Sequence, residues 1–237
     1  MKVFLNSIIG ELARKDFAYI QLFQQYGIDF YCNGDRTLQE AISNSKVDFD
    51  EVLSEIKLIQ EKEKASLYKV DVETWPLDLL ADYIQKTHHK FTDQILVKLR
   101  KEMEVMISSN VQEKEILERI HAPFDSLAKE LGAHMKREEL ILFPAIRRML
   151  INVAKREPIN NSVENPVDQM MHEHQSQDML LREIRSVLQN YEVNKSQSSE
   201  YIKFLKMMKE LDLDLSLHLH LENNILFPKA LEFEFNN

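Results

Sequence analysis

Glycine and proline are scarce in this sequence. Its 237 residues include only 4 glycines and 6 prolines, the two residues that most often interrupt a helix. Leucine, isoleucine, glutamate, lysine, glutamine and methionine dominate instead, which is typical of helical proteins. Hydrophobic residues make up 44% of the chain, enough to build a core. The composition therefore predicts an all-α protein.

Cysteines, basic charge and long apolar runs are scarce as well. Cys32 is the only cysteine, so the chain has no internal disulfide, as is usual in a reducing cytoplasm. The net charge of -9 argues against nucleic acid or an anionic membrane as a partner, because a polyanion would be repelled. No stretch approaches the roughly 18 apolar residues of a transmembrane helix. Asn6 and Ser7 break the apolar run at the N-terminus, which makes it a poor signal peptide. We therefore expect a cytoplasmic protein.

One segment of the sequence occurs twice. Residues 134–144 read His-Met-Lys-Arg-Glu-Glu-Leu-Ile-Leu-Phe-Pro, and residues 218–228 read His-Leu-His-Leu-Glu-Asn-Asn-Ile-Leu-Phe-Pro. Each copy has a glutamate four residues after a histidine, and a four-residue step on a helix brings two side chains to the same face. Two such helices facing each other would supply two imidazoles and two carboxylates to a shared interior.

Apolar residues recur at steps of three and four in four stretches of the chain, which predicts four long helices. Modest loops between them favour an up-down-up-down four-helix bundle. We expect this bundle over residues 75–234 and a small helical domain over residues 1–64. Each apolar stripe carries one histidine, and the spacing suggests a duplicated helix pair. These four histidines are His88, His134, His174 and His218.

With Glu138 and Glu222, the predicted core holds six potential metal ligands, which are too many for one tetrahedral zinc ion. Imidazole and carboxylate ligands contributed symmetrically to a bundle core are typical of di-iron and di-manganese proteins. If both glutamates bridged, each metal would keep a position free for a small ligand. A single histidine on an apolar face is more often an ordinary core residue. Two buried glutamates are harder to explain without metal, because an unpaired buried carboxylate is costly.

Other polar residues near the predicted site have more ordinary interpretations. Glu130, one turn before His134, is expected either to support the site or to lie at the rim of the bundle, and Glu173 beside His174 is a similar candidate. Methionines near the site are expected to fill the core: Met170, Met171 and Met208. The remaining histidines fall off the stripes and are expected on the polar surface or next to a ligand, with His220 the least certain: His89, His121, His172 and His220.

The six ligands and the two Ile-Leu-Phe-Pro segments resemble those of the hemerythrin-like di-iron proteins called RIC, for repair of iron centres. Residues 26–34, Tyr-Gly-Ile-Asp-Phe-Tyr-Cys-Asn-Gly, followed by Thr37 and Leu38, are similar to the short N-terminal domain of that family. Most of the chain is therefore covered. The family's N-terminal motif usually carries two adjacent cysteines, whereas this chain has Tyr31 in place of the first and keeps only Cys32. A role that needs two adjacent thiols is in doubt here.

The resemblance implies two non-haem iron ions, oxo- or hydroxo-bridged, in a protein that restores iron-sulfur clusters damaged by nitric oxide or oxidants. It would do so by releasing iron or by handling nitric oxide. Its partners would be damaged iron-sulfur proteins or a cluster-assembly scaffold, with nitric oxide or oxygen as a small ligand and a homodimer as a further possibility. Two alternatives stay open: a reversible oxygen or nitric oxide sensor, and an enzyme that reduces nitric oxide or peroxide.

Overall fold

The computed structural model describes residues 5–43, 47–63, 71–109, 112–159 and 162–237. This part of the chain is helical and contains no β-strand. The start of the N-terminal apolar run and the predicted domain boundary at residue 64 lie outside it. The described residues of the small N-terminal domain include four helices: α1 (Ile9–Lys15), α2 (Phe17–Gln25), α3 (Leu38–Ser43) and α4 (Phe49–Glu63).

Four long helical segments follow and form the bundle, so the predicted all-α fold is confirmed. Three of them contain a π turn, a turn with one residue more than an α turn. The first bundle helix is α5 (Leu77–Tyr83), a π turn (Ile84–His89) and α6 (Lys90–Ser108). The second is α7 (Lys114–Arg137), a π turn (Glu138–Leu142) and α8 (Phe143–Lys155). The third is α9 (Glu164–Val187), and the fourth is α10 (Ser199–Leu221), a π turn (Glu222–Leu226) and α11 (Phe227–Phe235).

The proline that ends each repeated segment accounts for two of the π turns. Pro144 and Pro228 have no backbone N–H, so neither can donate the bond that continues an α-helix, and each ring crowds the carbonyl four residues earlier. The N–H of Phe143 bonds the carbonyl of Glu138 across the π turn, and that of Phe227 bonds the carbonyl of Glu222. Each π turn therefore begins at the glutamate of the motif.

The bundle core consists of two apolar clusters with the candidate site between them. One cluster extends along α6, α7, α9 and α10, and the other joins α5, α8 and α11. Two residues expected in the core from the sequence lie outside it instead. Ile141 follows Glu138 by three residues and so continues its stripe, but it is 56% exposed, and Met171 is 42% exposed. The π turn moves the inward position from Ile141 to Leu142 and Phe143, both of which are buried.

The N-terminal domain packs against the fourth bundle helix. The amide of Asn224 donates to the carbonyl of Phe30 at 3.0 Å, and Arg14 donates to the carbonyl of Asn224 at 3.0 Å. The backbone comes so close here that a Cβ atom added to Gly34 would lie 2.6 Å from the Asn224 side chain. A glycine is therefore required at this contact. Within the described part of the chain, no helix has the length and apolar character needed to cross a membrane.

Candidate metal centre

Six buried side chains form two overlapping clusters of potential metal ligands in the middle of the bundle. The first cluster is His89, Glu138, His218 and Glu222, and the second is His134, Glu138, His174 and Glu222. Within each cluster, the ligand atoms lie within 4.8 Å of one another. None of the six residues is more than 1% exposed. Both glutamates belong to both clusters, so the arrangement suits two ions that share two carboxylates.

The spacing of the ligand atoms fits divalent ions. Glu138 Oε2 lies 3.3 Å from His89 Nε2 and 3.3 Å from His134 Nε2, and Glu222 Oε2 lies 3.1 Å from His174 Nε2. Neighbouring ligands of a metal bound at about 2.1 Å with right-angle geometry are about 3.0 Å apart. Both carboxylate oxygens of Glu138 lack a hydrogen-bond partner among the described residues. Oε2 approaches two imidazoles without hydrogen-bond geometry, as a metal ligand does.

Three of the clustered histidines are oriented by a partner at Nδ1. His89 Nδ1 lies 2.8 Å from Glu139, His134 Nδ1 lies 3.0 Å from Glu173, and His174 Nδ1 lies 2.8 Å from the side-chain oxygen of Asn223. Each partner accepts the Nδ1 proton, which leaves the Nε2 lone pair facing the centre of the bundle. His134 Nε2 and His174 Nε2 are only 3.0 Å apart. Two facing lone pairs at this distance require a cation or a proton beside them.

Phenylalanines from the repeated segments cover two of these rings. Phe143 stacks on His89 with ring centroids 5.7 Å apart, and Phe227 stacks on His174 at 5.8 Å. The Phe of the Ile-Leu-Phe-Pro segment therefore holds the imidazole of a neighbouring helix in both halves of the bundle. These rings belong to the apolar cluster on one side of the site and shield it from water.

The two buried carboxylates depend on positive charge beside them. Burial and the nearby Glu222 both raise the pKa of Glu138, but His134 and His89 outweigh them and hold this pKa below its ordinary value. Burial likewise opposes ionisation of Glu222, but His218 and His174 hold its pKa well below the usual range. Burial works against a charged His134, yet Glu138 and Glu173 raise its pKa to about 10. A bound cation would supply the same compensation.

The structure brings five of the six predicted ligands together and replaces the sixth. The first cluster contains His89, whereas the apolar stripe of the first bundle helix predicted His88 as the ligand. The reason is the π turn at Ile84–His89: because this turn contains one extra residue, the fifth residue after Ile84 faces the centre rather than the fourth. His89 is expected from the sequence on the polar surface or next to a ligand; the surface position is wrong, since this residue is 1% exposed and lies within a cluster. Two adjacent histidines within an apolar stripe were the only sequence signal.

His88 is buried next to the clusters without joining them. Its Nδ1 lies 2.9 Å from Asp214, and its ring stacks on His218 with centroids 5.7 Å apart. By position, His88 corresponds to Glu173, because each directly precedes a clustered histidine. Glu173 contacts Nδ1 of His134, but Nδ1 of His218 has no hydrogen-bond partner within the described chain. The approximate twofold symmetry between the two helix pairs is therefore broken at this position.

The other predicted polar residues occupy different places. Glu130 is half-buried and accepts a hydrogen bond from Ser176 at 2.8 Å. His172 is exposed and His121 is largely so, as expected. His220 is only 2% exposed, so a surface position is wrong for it. Its ring packs against Phe30 of the N-terminal domain, and burial lowers its pKa to about 3, which keeps it neutral.

The N-terminal domain reaches the second cluster through residues 31 and 32. Cys32 Sγ lies 3.7 Å from the carbonyl oxygen of His174, and the Tyr31 hydroxyl donates to Asp178 at 2.7 Å. Burial raises the pKa of the Cys32 thiol, and Asp178 and Asp29 raise it further, so the thiol stays protonated. Asn223 connects this loop to the site, because its amide donates to the Tyr31 carbonyl while its oxygen contacts His174.

A helical bundle with four imidazoles and two shared carboxylates at its centre defines a hemerythrin-like metal-binding protein. Comparison with protein families agrees, since residues 79–230 match the hemerythrin HHE cation binding domain and residues 5–60 match a domain of unknown function, DUF542. The iron-sulfur cluster repair protein YtfE of Edwardsiella ictaluri is 31% identical over 226 residues, 94% of this chain and 96% of the relative. YtfE of Salmonella paratyphi B is 29% identical over 238 residues, 95% and 97% of the two chains. The chain belongs to this hemerythrin-like family of iron-sulfur cluster repair proteins.

Proposed function

We propose that the paired cluster holds two iron ions and that the protein uses them to repair iron-sulfur clusters damaged by nitric oxide or oxidants. The observation that carries this proposal is the presence of Glu138 and Glu222 in both clusters. The names of the relatives supply the process, the repair of iron-sulfur clusters. Damaged iron-sulfur proteins are the partners that follow from it, and the cytoplasm is the compartment that we propose.

The protein's own residues would keep the ligands fixed and the site dry. Glu139, Glu173 and Asn223 hold the Nδ1 protons of three histidines, so the Nε2 atoms are available to metal without rearrangement. The apolar clusters on both sides exclude bulk water. When bound, the two irons would supply one-electron chemistry and a position open to a small ligand. A solvent-derived oxo or hydroxo bridge would complete the centre.

The shared carboxylates would also make iron release possible. Glu138 and Glu222 can each move between holding both ions and holding one, because a carboxylate has two oxygens and about four lone-pair sites. Each is buried and compensated by imidazoles on both sides. Departure of one ion would therefore leave the remaining carboxylate charge paired with histidine. This arrangement favours donation of iron to a damaged cluster over permanent retention.

The test replaces the shared carboxylates by their amides. Glu138→Gln and Glu222→Gln keep the side-chain size but remove the negative charge, and Glu118→Gln on the exposed surface of α7 is the matched control. The proteins are purified without oxygen, and their metal is measured by elemental analysis and Mössbauer spectroscopy. Repair is followed with an iron-sulfur protein that has been damaged by nitric oxide.

We expect two irons per chain in the parent protein and the control, and loss of iron and of repair in both amide variants. Undiminished iron and repair in those variants, or zinc in place of iron, would contradict the proposal. A spectrum that changes reversibly with nitric oxide or oxygen, without iron loss, would favour a gas sensor. Product formation in a single turnover would favour a reductase.

A further inference from the structure

One layer of the bundle core lies directly next to the metal ligands, and each of the four helices contributes one residue to it. On each helix this residue is buried and lies three positions from a clustered histidine, a step that places it about one turn away on the same face. The layer is one turn from the clustered histidines, on the side away from Phe143 and Phe227. Its four members are Thr92, Leu131, Gln177 and Leu215.

Two of these four residues are polar, and they lie at equivalent positions. Thr92 follows His89 by three residues, and Gln177 follows His174 by three residues. Thr92 is 0% exposed and Gln177 is 3% exposed. The next layer on the same two stripes is apolar, with Leu96 and Leu181. On these two stripes, the polar side chains therefore lie in the layer that borders the metal ligands.

Neither polar side chain has a hydrogen-bond partner in the described part of the fold. The Thr92 hydroxyl and both polar atoms of the Gln177 amide are buried without a hydrogen-bond partner among the described residues. A buried amide or hydroxyl left unpaired is unfavourable, and an apolar residue of the same shape would pack better. Asp178, the next residue in α9, shows the usual outcome, because Tyr31 and Arg182 both donate to it. Packing alone therefore does not explain Thr92 and Gln177.

We propose that Thr92 and Gln177 bind the exchangeable ligand of the dinuclear centre on its core side. This inference rests on the proposed function, since the ligand is held jointly with metal. The Thr92 hydroxyl and the Gln177 amide group can donate hydrogen bonds, and the Gln177 oxygen can accept one. They suit a small ligand that ends in oxygen or nitrogen, such as hydroxide or nitric oxide. Leu131 and Leu215, on the second and fourth bundle helices, complete this layer and limit the size of the ligand.

The experiment uses Thr92→Val and Gln177→Leu, which keep the approximate shape and remove the polar atoms. Protein loaded with iron and oxidised is titrated with azide, and binding is followed by optical absorbance. Thr92→Ser retains the hydroxyl, and Leu181→Met alters the core one layer away without changing its polarity. Metal content is measured on every variant. Metal-free samples are unfolded in denaturant as a second readout.

We expect azide affinity to fall about tenfold for each hydrogen bond removed, with two irons retained. Thr92→Ser and Leu181→Met should stay within about twofold of the parent. In the metal-free protein, Thr92→Val and Gln177→Leu should unfold at a higher denaturant concentration, because unpaired polar groups have been removed. Unchanged azide affinity in iron-loaded Thr92→Val and Gln177→Leu would overturn this inference alone. Failure of the parent protein to hold iron would overturn the proposed function together with it.

Discussion

The two copies of the repeated segment have the same motif residues but different surroundings. Leu140 is 75% exposed in the first copy, whereas Asn224 at the same position bonds the N-terminal domain in the second. Lys136 lies on the surface, whereas its counterpart His220 is buried against Phe30. The histidine, glutamate and phenylalanine that both copies share line the candidate metal centre. The differences between Lys136 and His220 and between Leu140 and Asn224 reflect the fact that the second copy is covered by the N-terminal domain.

The two ligand clusters differ in a related way. In the second cluster, Glu173 and Asn223 orient both histidines through Nδ1. In the first, Glu139 orients His89, but His218 has no Nδ1 partner within the described chain. Orienting partners typically change metal affinity by about 10- to 100-fold. The first cluster is therefore expected to hold its metal less tightly, and the difference suits a protein that gives up one ion while keeping another.

The largest expected effect is the difference between two isoleucines that occupy the same motif position, one in each copy of the repeated segment. Ile225 is 2% exposed within an apolar cluster, and Ile141 at the same motif position is 56% exposed. Ile225→Ala should reduce the free energy of unfolding by about 2–5 kcal/mol, and Ile141→Ala should change it by less than about 0.5 kcal/mol. Denaturant unfolding of the metal-free variants measures both. Equal losses would show that the two copies are packed alike.

Asn223 and Glu139 form the next pair, because each follows the motif glutamate and orients a histidine. Asn223→Leu should weaken metal binding about 10- to 100-fold and also increase hydrogen exchange around Tyr31, whose carbonyl it contacts. Glu139→Leu should weaken metal binding to a similar extent without that effect on the N-terminal domain. Competition with a chelator gives the affinities. Increased exchange around Tyr31 in both variants would contradict the separate role of Asn223.

If both clusters hold metal as proposed, a chelator should remove the two ions from the parent protein in two phases. His88→Glu introduces the residue type that Glu173 provides on the other side, within reach of the His218 ring. We expect this variant to slow the fast phase about tenfold and to leave the slow phase unchanged. His88→Gln provides an uncharged control of similar length. Removal in a single phase, or equal slowing of both phases, would show that the clusters do not differ as proposed.

The smallest expected effect concerns the contact between Tyr31 and the third bundle helix. Tyr31→Phe removes the hydroxyl that donates to Asp178, but Arg182 still donates to that carboxylate. The free energy of unfolding should fall by about 1 kcal/mol, the usual contribution of one hydrogen bond. Denaturant unfolding gives the value, and iron content should not change. A loss of iron would instead connect Tyr31 to the second cluster.

The sequence predicted the bundle because helical periodicity is a property of local spacing. For the same reason, His134, Glu138, His174, His218 and Glu222 were predicted on inward faces, and the structure brings them together. The choice of His89 over His88 depends on a π turn with no proline to signal it. The burial of His220 depends on how a separate domain docks, which spacing within a helix does not record. The unpaired state of Thr92 and Gln177 likewise appears only when four helices are assembled.

The three π turns also set a limit on how far the fold can be stabilised. Each contains one residue more than a regular turn and lies at the level of the ligands. Deleting that residue, and replacing Pro144 and Pro228 after the second and third of these turns, would restore continuous α-helices with regular hydrogen bonding, which favours a more stable chain. The deletion would also rotate the ligand on that helix by about 100° away from the others. Selection for thermal stability alone would thus remove the irregularities on which this centre depends, so its helices are kept imperfect by their function.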